Sequence, residues 1–147
     1  MQPLQHHQLQ LLANELVKLH INTQHSLLTL HTQELYVNIP IQETTNLTKA
    51  QLARNNDNHT THQIMTLLIT ILKQNYFSFG DHIYQSNKGV AMGSPVSSTM
   101  AEIFLQHIEE TNIKHLIDTK SLSFYTRYVD DIFLIYDSTR TNPDEIH

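Results

Sequence analysis

Ser123-Phe124-Tyr125-Thr126-Arg127-Tyr128-Val129-Asp130-Asp131-Ile132-Phe133-Leu134-Ile135-Tyr136 is the stretch whose reading decides the fold. Its outer parts, Ser123 to Arg127 and Ile132 to Tyr136, are rich in the aromatic and β-branched residues that suit strands. They meet at the tight acidic junction Tyr128-Val129-Asp130-Asp131, so the run reads as a β-hairpin with carboxylates at its tip. Adjacent carboxylates repel one another and are costly to hold together unless a cation neutralises them. A hard divalent ion such as Mg²⁺, which prefers oxygen ligands, is the natural partner. Taken alone, an Asp pair is also what a solvated turn contains.

Working outward, the glycines fall at Gly80, Gly89 and Gly93. Gly80-Asp81 separates Tyr76-Phe77-Ser78-Phe79 from His82-Ile83-Tyr84-Gln85, a second hairpin signature. Gly89 and Gly93 frame Val90-Ala91-Met92 and precede Ser94-Pro95, and Pro95 suits the first turn of a helix running through Met100, Phe104 and Ile108 to about Leu116. Thr60 to Asn75 has apolar residues at helical spacing, predicting a buried stripe of Ile64, Leu67, Leu68, Ile71 and Leu72. Ile41 to Ala53 is moderately helical, and the polar run Arg54 to His59 reads as an exposed loop. Ser26 to Leu30 is a strand candidate leading to His31, with a turn signalled by Asn38 and Pro40. Leu11 to Leu19 reads as a short amphipathic helix. Helices and strands without strict βαβ alternation predict an α+β domain, an antiparallel sheet with helices packed on one face.

At 147 residues, the chain is long enough for one domain with a real core. The expected organisation is a flexible Gln/His-rich segment over 1–10, one domain over 11–137 and a tail over 138–147. No apolar run approaches the length of a membrane span, and the N-terminus lacks the basic start and apolar core of a signal peptide. With no cysteine there is neither a disulfide framework nor a thiolate metal site. These absences lead us to expect an intracellular protein, nuclear or cytoplasmic, that is not secreted. Nine basic residues against fourteen acidic ones give a net charge of −5, which predicts weak nucleic-acid binding by the chain on its own. His59 with His62, or His6 with His7, could ligate zinc or copper, but solvated imidazoles account for them as well.

Three segments line up in order: a strand ending at His31 with Tyr36 five residues on, the loop Gly89-Val90-Ala91-Met92-Gly93-Ser94-Pro95 opening a helix, and the acidic hairpin. This order resembles the palm domain of reverse transcriptases. Leu35-Tyr36-Val37-Asn38-Ile39-Pro40 and Gly89 to Ser98 look most like Penelope-like retroelements, and the resemblance covers roughly residues 11 to 137. It implies RNA-directed DNA synthesis by two-metal nucleotidyl transfer, with two Mg²⁺ ions, an RNA template, a DNA primer and dNTP. Asp130 matches a bridging, metal-binding carboxylate of the family, with Asp131 beside it. Tyr36 matches the aromatic residue under the sugar of the incoming nucleotide. Gly93, Ser94 and Pro95 match the turn where backbone approaches template and nucleotide. A core tyrosine and an ordinary loop are the plain alternatives for these two.

One position departs from the family pattern Leu-Asp-x-x-x-Leu-Tyr-x-Asn-Ile-Pro. The anchor from Leu35 to Pro40 is intact, and the position of the other bridging Asp is His31. Imidazole brings a nitrogen donor and no negative charge where Mg²⁺ wants anionic oxygen. The nearest acid, Glu34, lies three residues past the strand end. Ser97-Ser98 also replaces a common Ser-Pro pair. The expectation is a reverse-transcriptase domain that is catalytically impaired, with the thumb absent after residue 137. A non-enzymatic, palm-like remnant acting as a structural or interaction module is the alternative.

Overall fold

The computed structural model describes residues 12–119 and 121–142. The Gln/His-rich start, with His6 and His7, and the end of the tail from residue 143 lie outside them. A helix over 12–18, α1, precedes strand β1 (His25–His31). Then come a single helical turn, α2 (Leu35–Asn38), and two longer helices, α3 (Ile41–Asn55) and α4 (Asn58–Lys73). The hairpin β2 (Tyr76–Phe79) and β3 (His82–Gln85) leads through the glycine loop to α5 (Ser97–Ile108). A π-helical turn, Glu109–Ile113, joins α5 to α6 (Lys114–Asp118), and β4 (Leu122–Tyr128) and β5 (Asp131–Asp137) follow. The protein is a mixed α+β fold with antiparallel sheets, as its element pattern predicts.

The main sheet has the order β1-β5-β4, so β5 is central and pairs antiparallel with both neighbours. Alternation puts Leu28, Leu30, Ile132, Leu134 and Tyr136 on one face. There they pack with Leu122 and Tyr125 against Ile113 and Leu116 of the π turn and α6. A second core lies among the helices, where Leu35, Ile39, Met65, Leu68, Val90, Met100, Ala101 and Leu105 are buried together. Threonines allow α3 to approach α5 closely. Thr44 and Thr48 are buried, each hydroxyl donates to the carbonyl four residues back, and Thr48 also reaches Met100 Sδ at 3.7 Å.

Three expectations need correction: the loop over Arg54 to His59, the buried stripe of α4 and the place of Pro95 in the first turn of α5. Arg54 to His59 is not a loop: α3 runs to Asn55, α4 starts at Asn58, and Asp57 caps it by accepting from the Thr60 amide at 2.9 Å. Asp and Asn are common in loops and equally at helix starts. The buried face of α4 is Thr61, Met65 and Leu68, with Leu72 packed beside it, whereas Ile64 and Leu67 are exposed. This helix is apolar over a wider arc than α3 and α5 can cover. The start of the tail is anchored: Ser138 donates from its amide and hydroxyl to the Gln24 carbonyl, and Thr141 is buried. Pro95 lies in the turn just before α5, one residue before its N-cap Val96. Among the described residues, no helix is long and apolar enough to cross a membrane.

Candidate functional site

The hairpin turn is Val129-Asp130, flanked by the paired residues Tyr128 and Asp131. Val129 has φ 56°, in the left-handed region. Two-residue hairpin loops need such a residue first, because it matches the twist of the strands, and glycine is its usual occupant. A β-branched residue there is strained and needs outside support. Arg127 supplies it, donating from Nη1 to the Val129 carbonyl at 3.2 Å.

A single basic residue in a strand is ordinarily solvated surface, within reach of phosphate, but Arg127 is buried. Its side chain is only 7% exposed, and its guanidinium forks onto Glu102 of α5 at 3.0 and 3.1 Å while Nε meets Glu109. Tyr125 donates its hydroxyl to the same Glu109 carboxylate at 2.9 Å. Burial and this bond to an anion push the Tyr125 phenol upward. The two glutamates hold Arg127 charged, and the guanidinium draws the Glu102 carboxyl below its usual range. Glu109 opens the π turn, where the Lys114 amide reaches back to its carbonyl, a widening often found beside functional sites. Arg127 therefore braces the acidic turn against the helix behind it.

β1 brings the third side chain. Its register sets His31 directly opposite Asp131, and the Thr32 amide donates to the Asp130 carbonyl at 2.8 Å. His31 Nδ1 lies 2.9 Å from Asp131 Oδ1, and Nε2 lies 3.8 Å from Asp130 Oδ2. Among the described residues, His31, Asp130 and Asp131 are the one group of potential metal ligands that converges, with ligand atoms all within 4.8 Å. The side chains are 60%, 41% and 71% exposed, so the cluster is open to solvent. His59 and His62 lie on α4 outside this group. Glu34 takes a left-handed conformation ahead of α2 and is also outside it.

The bond to Asp131, aided by the charges of both aspartates, raises the His31 pKa. A raised folded-state value means that the pair stabilises the fold fully below the unfolded pKa. That contribution disappears as pH climbs through the folded value. In Asp131→Asn, the His31 ring titration followed by NMR is expected to move to lower pH. An unchanged midpoint would mean that the bond does not form in solution.

The other sequence-predicted residues lie on the helical side. Tyr36 is partly buried against the helical core, and its carbonyl accepts the Val90 amide at 2.8 Å. Gly89, φ 69°, is buried against the carbonyls of Tyr36 and Val37. Gly93, φ 89°, faces open space. Ser94 is joined to Ala91 and Ser97 by main-chain bonds, and Pro95 is exposed. The buried Ser97 hydroxyl donates to the Ala91 carbonyl at 2.6 Å, so this serine stitches the loop to α5. No protein-family model matches the chain, and no curated protein shows significant similarity to it.

Proposed function

We propose that the chain is a reverse-transcriptase palm-like domain, most like those of Penelope-like retroelements, whose nucleotidyl-transfer centre is impaired by His31. One observation carries the reading: the end of β1 lies beside the hairpin turn, so position 31 and the Asp130-Asp131 pair share one small space. Adjacent strands supply the carboxylates in such a centre. The primer 3′-hydroxyl would attack the α-phosphorus of a dNTP paired with an RNA template, with pyrophosphate leaving. Tyr36, Gly93, Ser94 and Pro95 are assigned to the nucleotide side by resemblance alone.

A pair of Mg²⁺ ions would lower the pKa of the attacking hydroxyl and neutralise the phosphates. The residues present do not fit that pair. Two carboxylates and one imidazole are too few anionic oxygens for two hard cations. The His31 ring also bonds one aspartate and lies near the other. When protonated, it is itself the counter-charge that a metal would supply. The same arrangement favours a second reading, a domain kept as a non-catalytic interaction module.

Substituting His31→Asp tests both. Mn²⁺ binding, followed by electron paramagnetic resonance, is expected to tighten at least tenfold, because a third carboxylate replaces a competing cation. Primer extension in Mg²⁺ that rises with His31→Asp supports the polymerase reading, and metal binding without extension supports the module. No gain in metal affinity overturns the palm assignment. Extension by wild type at the rate of the variant, with both clearly above background, overturns the impairment.

A further inference from the structure

The β2–β3 hairpin is exposed along both strands. Register pairs Phe77 with Tyr84 and Phe79 with His82. Directly opposed side chains share a face, as do alternate residues of one strand, so these four rings form a single surface. Phe77 and Tyr84 stack with centroids 5.6 Å apart and planes 22° from parallel, and His82 lies 6.4 Å from Tyr84. Phe79 is 76% exposed. A small sheet normally buries one face, and this one leaves its rings in water.

We propose that this face is a stacking platform for the bases of an unpaired nucleic-acid strand. Aromatic rings on a sheet stack against bases of any sequence, and a few rings are enough for measurable affinity. The local charge suits phosphate although the whole chain carries −5. Lys73 ends α4 at the hairpin's base, where its carbonyl accepts from Gln85 Nε2 at 3.1 Å. Lys88 follows β3, tied through its carbonyl to the Ser86 hydroxyl at 2.8 Å. Against these two lysines, the turn carries one acid, Asp81.

A second copy of the chain fits the face less well. Three large rings, each burying at most about 250 Å², fall short of the roughly 800 Å² per partner of a stable protein interface. Nor does the platform depend on the carboxylate cluster, because stacking needs no divalent ion. A His31→Asp variant without metal affinity would leave this proposal standing.

Fluorescence anisotropy with a labelled oligothymidylate of about a dozen nucleotides, at low salt and without divalent ions, provides the test. Wild type is expected to bind it and to prefer it to a duplex of equal length. Phe79→Leu with Tyr84→Leu keeps strand-compatible apolar bulk and removes stacking, and is expected to weaken binding roughly tenfold or more. Phe79→Leu alone, which spares the Phe77–Tyr84 stack, is expected to weaken it several-fold. Lys73→Gln with Lys88→Gln is expected to reduce the salt slope by about 1.4. The proposal is overturned if wild type does not bind or the leucine variants bind equally well. It also fails if duplex is preferred, or if sedimentation shows a dimer that the leucine variants abolish.

Discussion

Replacing Arg127 by methionine is expected to destabilise the fold by about 3 kcal/mol, read as a drop of roughly 10 °C in the unfolding midpoint. The side chain is almost wholly buried and serves two carboxylates and one carbonyl. Methionine replaces the aliphatic stem and none of the donors. Glu109, 25% exposed, then faces Tyr125 with a charge that no cation balances. Glu102 is half exposed and can recover water, which holds the loss at the low end for a broken buried pair. Lysine should not rescue, because an ammonium cannot fork across two glutamates. Adding Glu109→Gln to the methionine variant should recover part of the loss.

Acid should also tell the two proteins apart. The lowered Glu102 carboxyl stabilises the fold above its unfolded pKa, and that share is lost as pH falls through the folded value. The methionine variant lacks it and should lose less on acidification. A midpoint within a degree or two of wild type would show that the bracing is dispensable.

Gly89→Ala is expected to cost about 3 kcal/mol or more, while Gly93→Ala costs about 1 kcal/mol. Both glycines have positive φ, so alanine strains the backbone at either place. The difference lies in the surroundings. At Gly89 a Cβ would lie 2.6 Å from the Tyr36 carbonyl oxygen and as close to Val37, all main-chain atoms that cannot swing away. Relief requires the loop to leave α2 and break the Val90–Tyr36 bond. At Gly93 nothing lies within 4 Å. Urea unfolding at constant m-value measures both, and equal midpoints would mean that the loop does not approach α2 so closely.

The strands of the main sheet were legible because their apolar runs are bounded by turns on each side. Leu28 and Leu30 of β1 and Ile132 and Leu134 of β5 then fall on one face by simple alternation. The buried face of α4 was not legible, because Ile64, Met65, Leu67, Leu68 and Ile71 spread over an arc of about 160°, wider than the neighbouring helices cover. Which of these are covered depends on where α3 and α5 lie. In the site, the meeting of His31 with Asp130 and Asp131 was readable from motif order. The bracing of the turn was not. Arg127 occupies a strand position like any other, and its partner Glu109 is displaced into reach by a π turn that no residue pattern announces. Asp57-Asn58-His59-Thr60 caps a helix, yet its polar neighbours give it the same composition as a loop.

Among the described residues β1 is an edge strand, yet main-chain bonds clamp it at both ends. The Gln24 carbonyl holds Ser138 at one end, and the Thr32 amide holds the Asp130 carbonyl at the other. Position 31 therefore works as a socket: its place is fixed by the backbone, whatever side chain is plugged in. Cysteine, glutamate or asparagine installed there would all project toward the same two carboxylates, so one scaffold can display a series of ligand sets without the strand sliding to accommodate any of them.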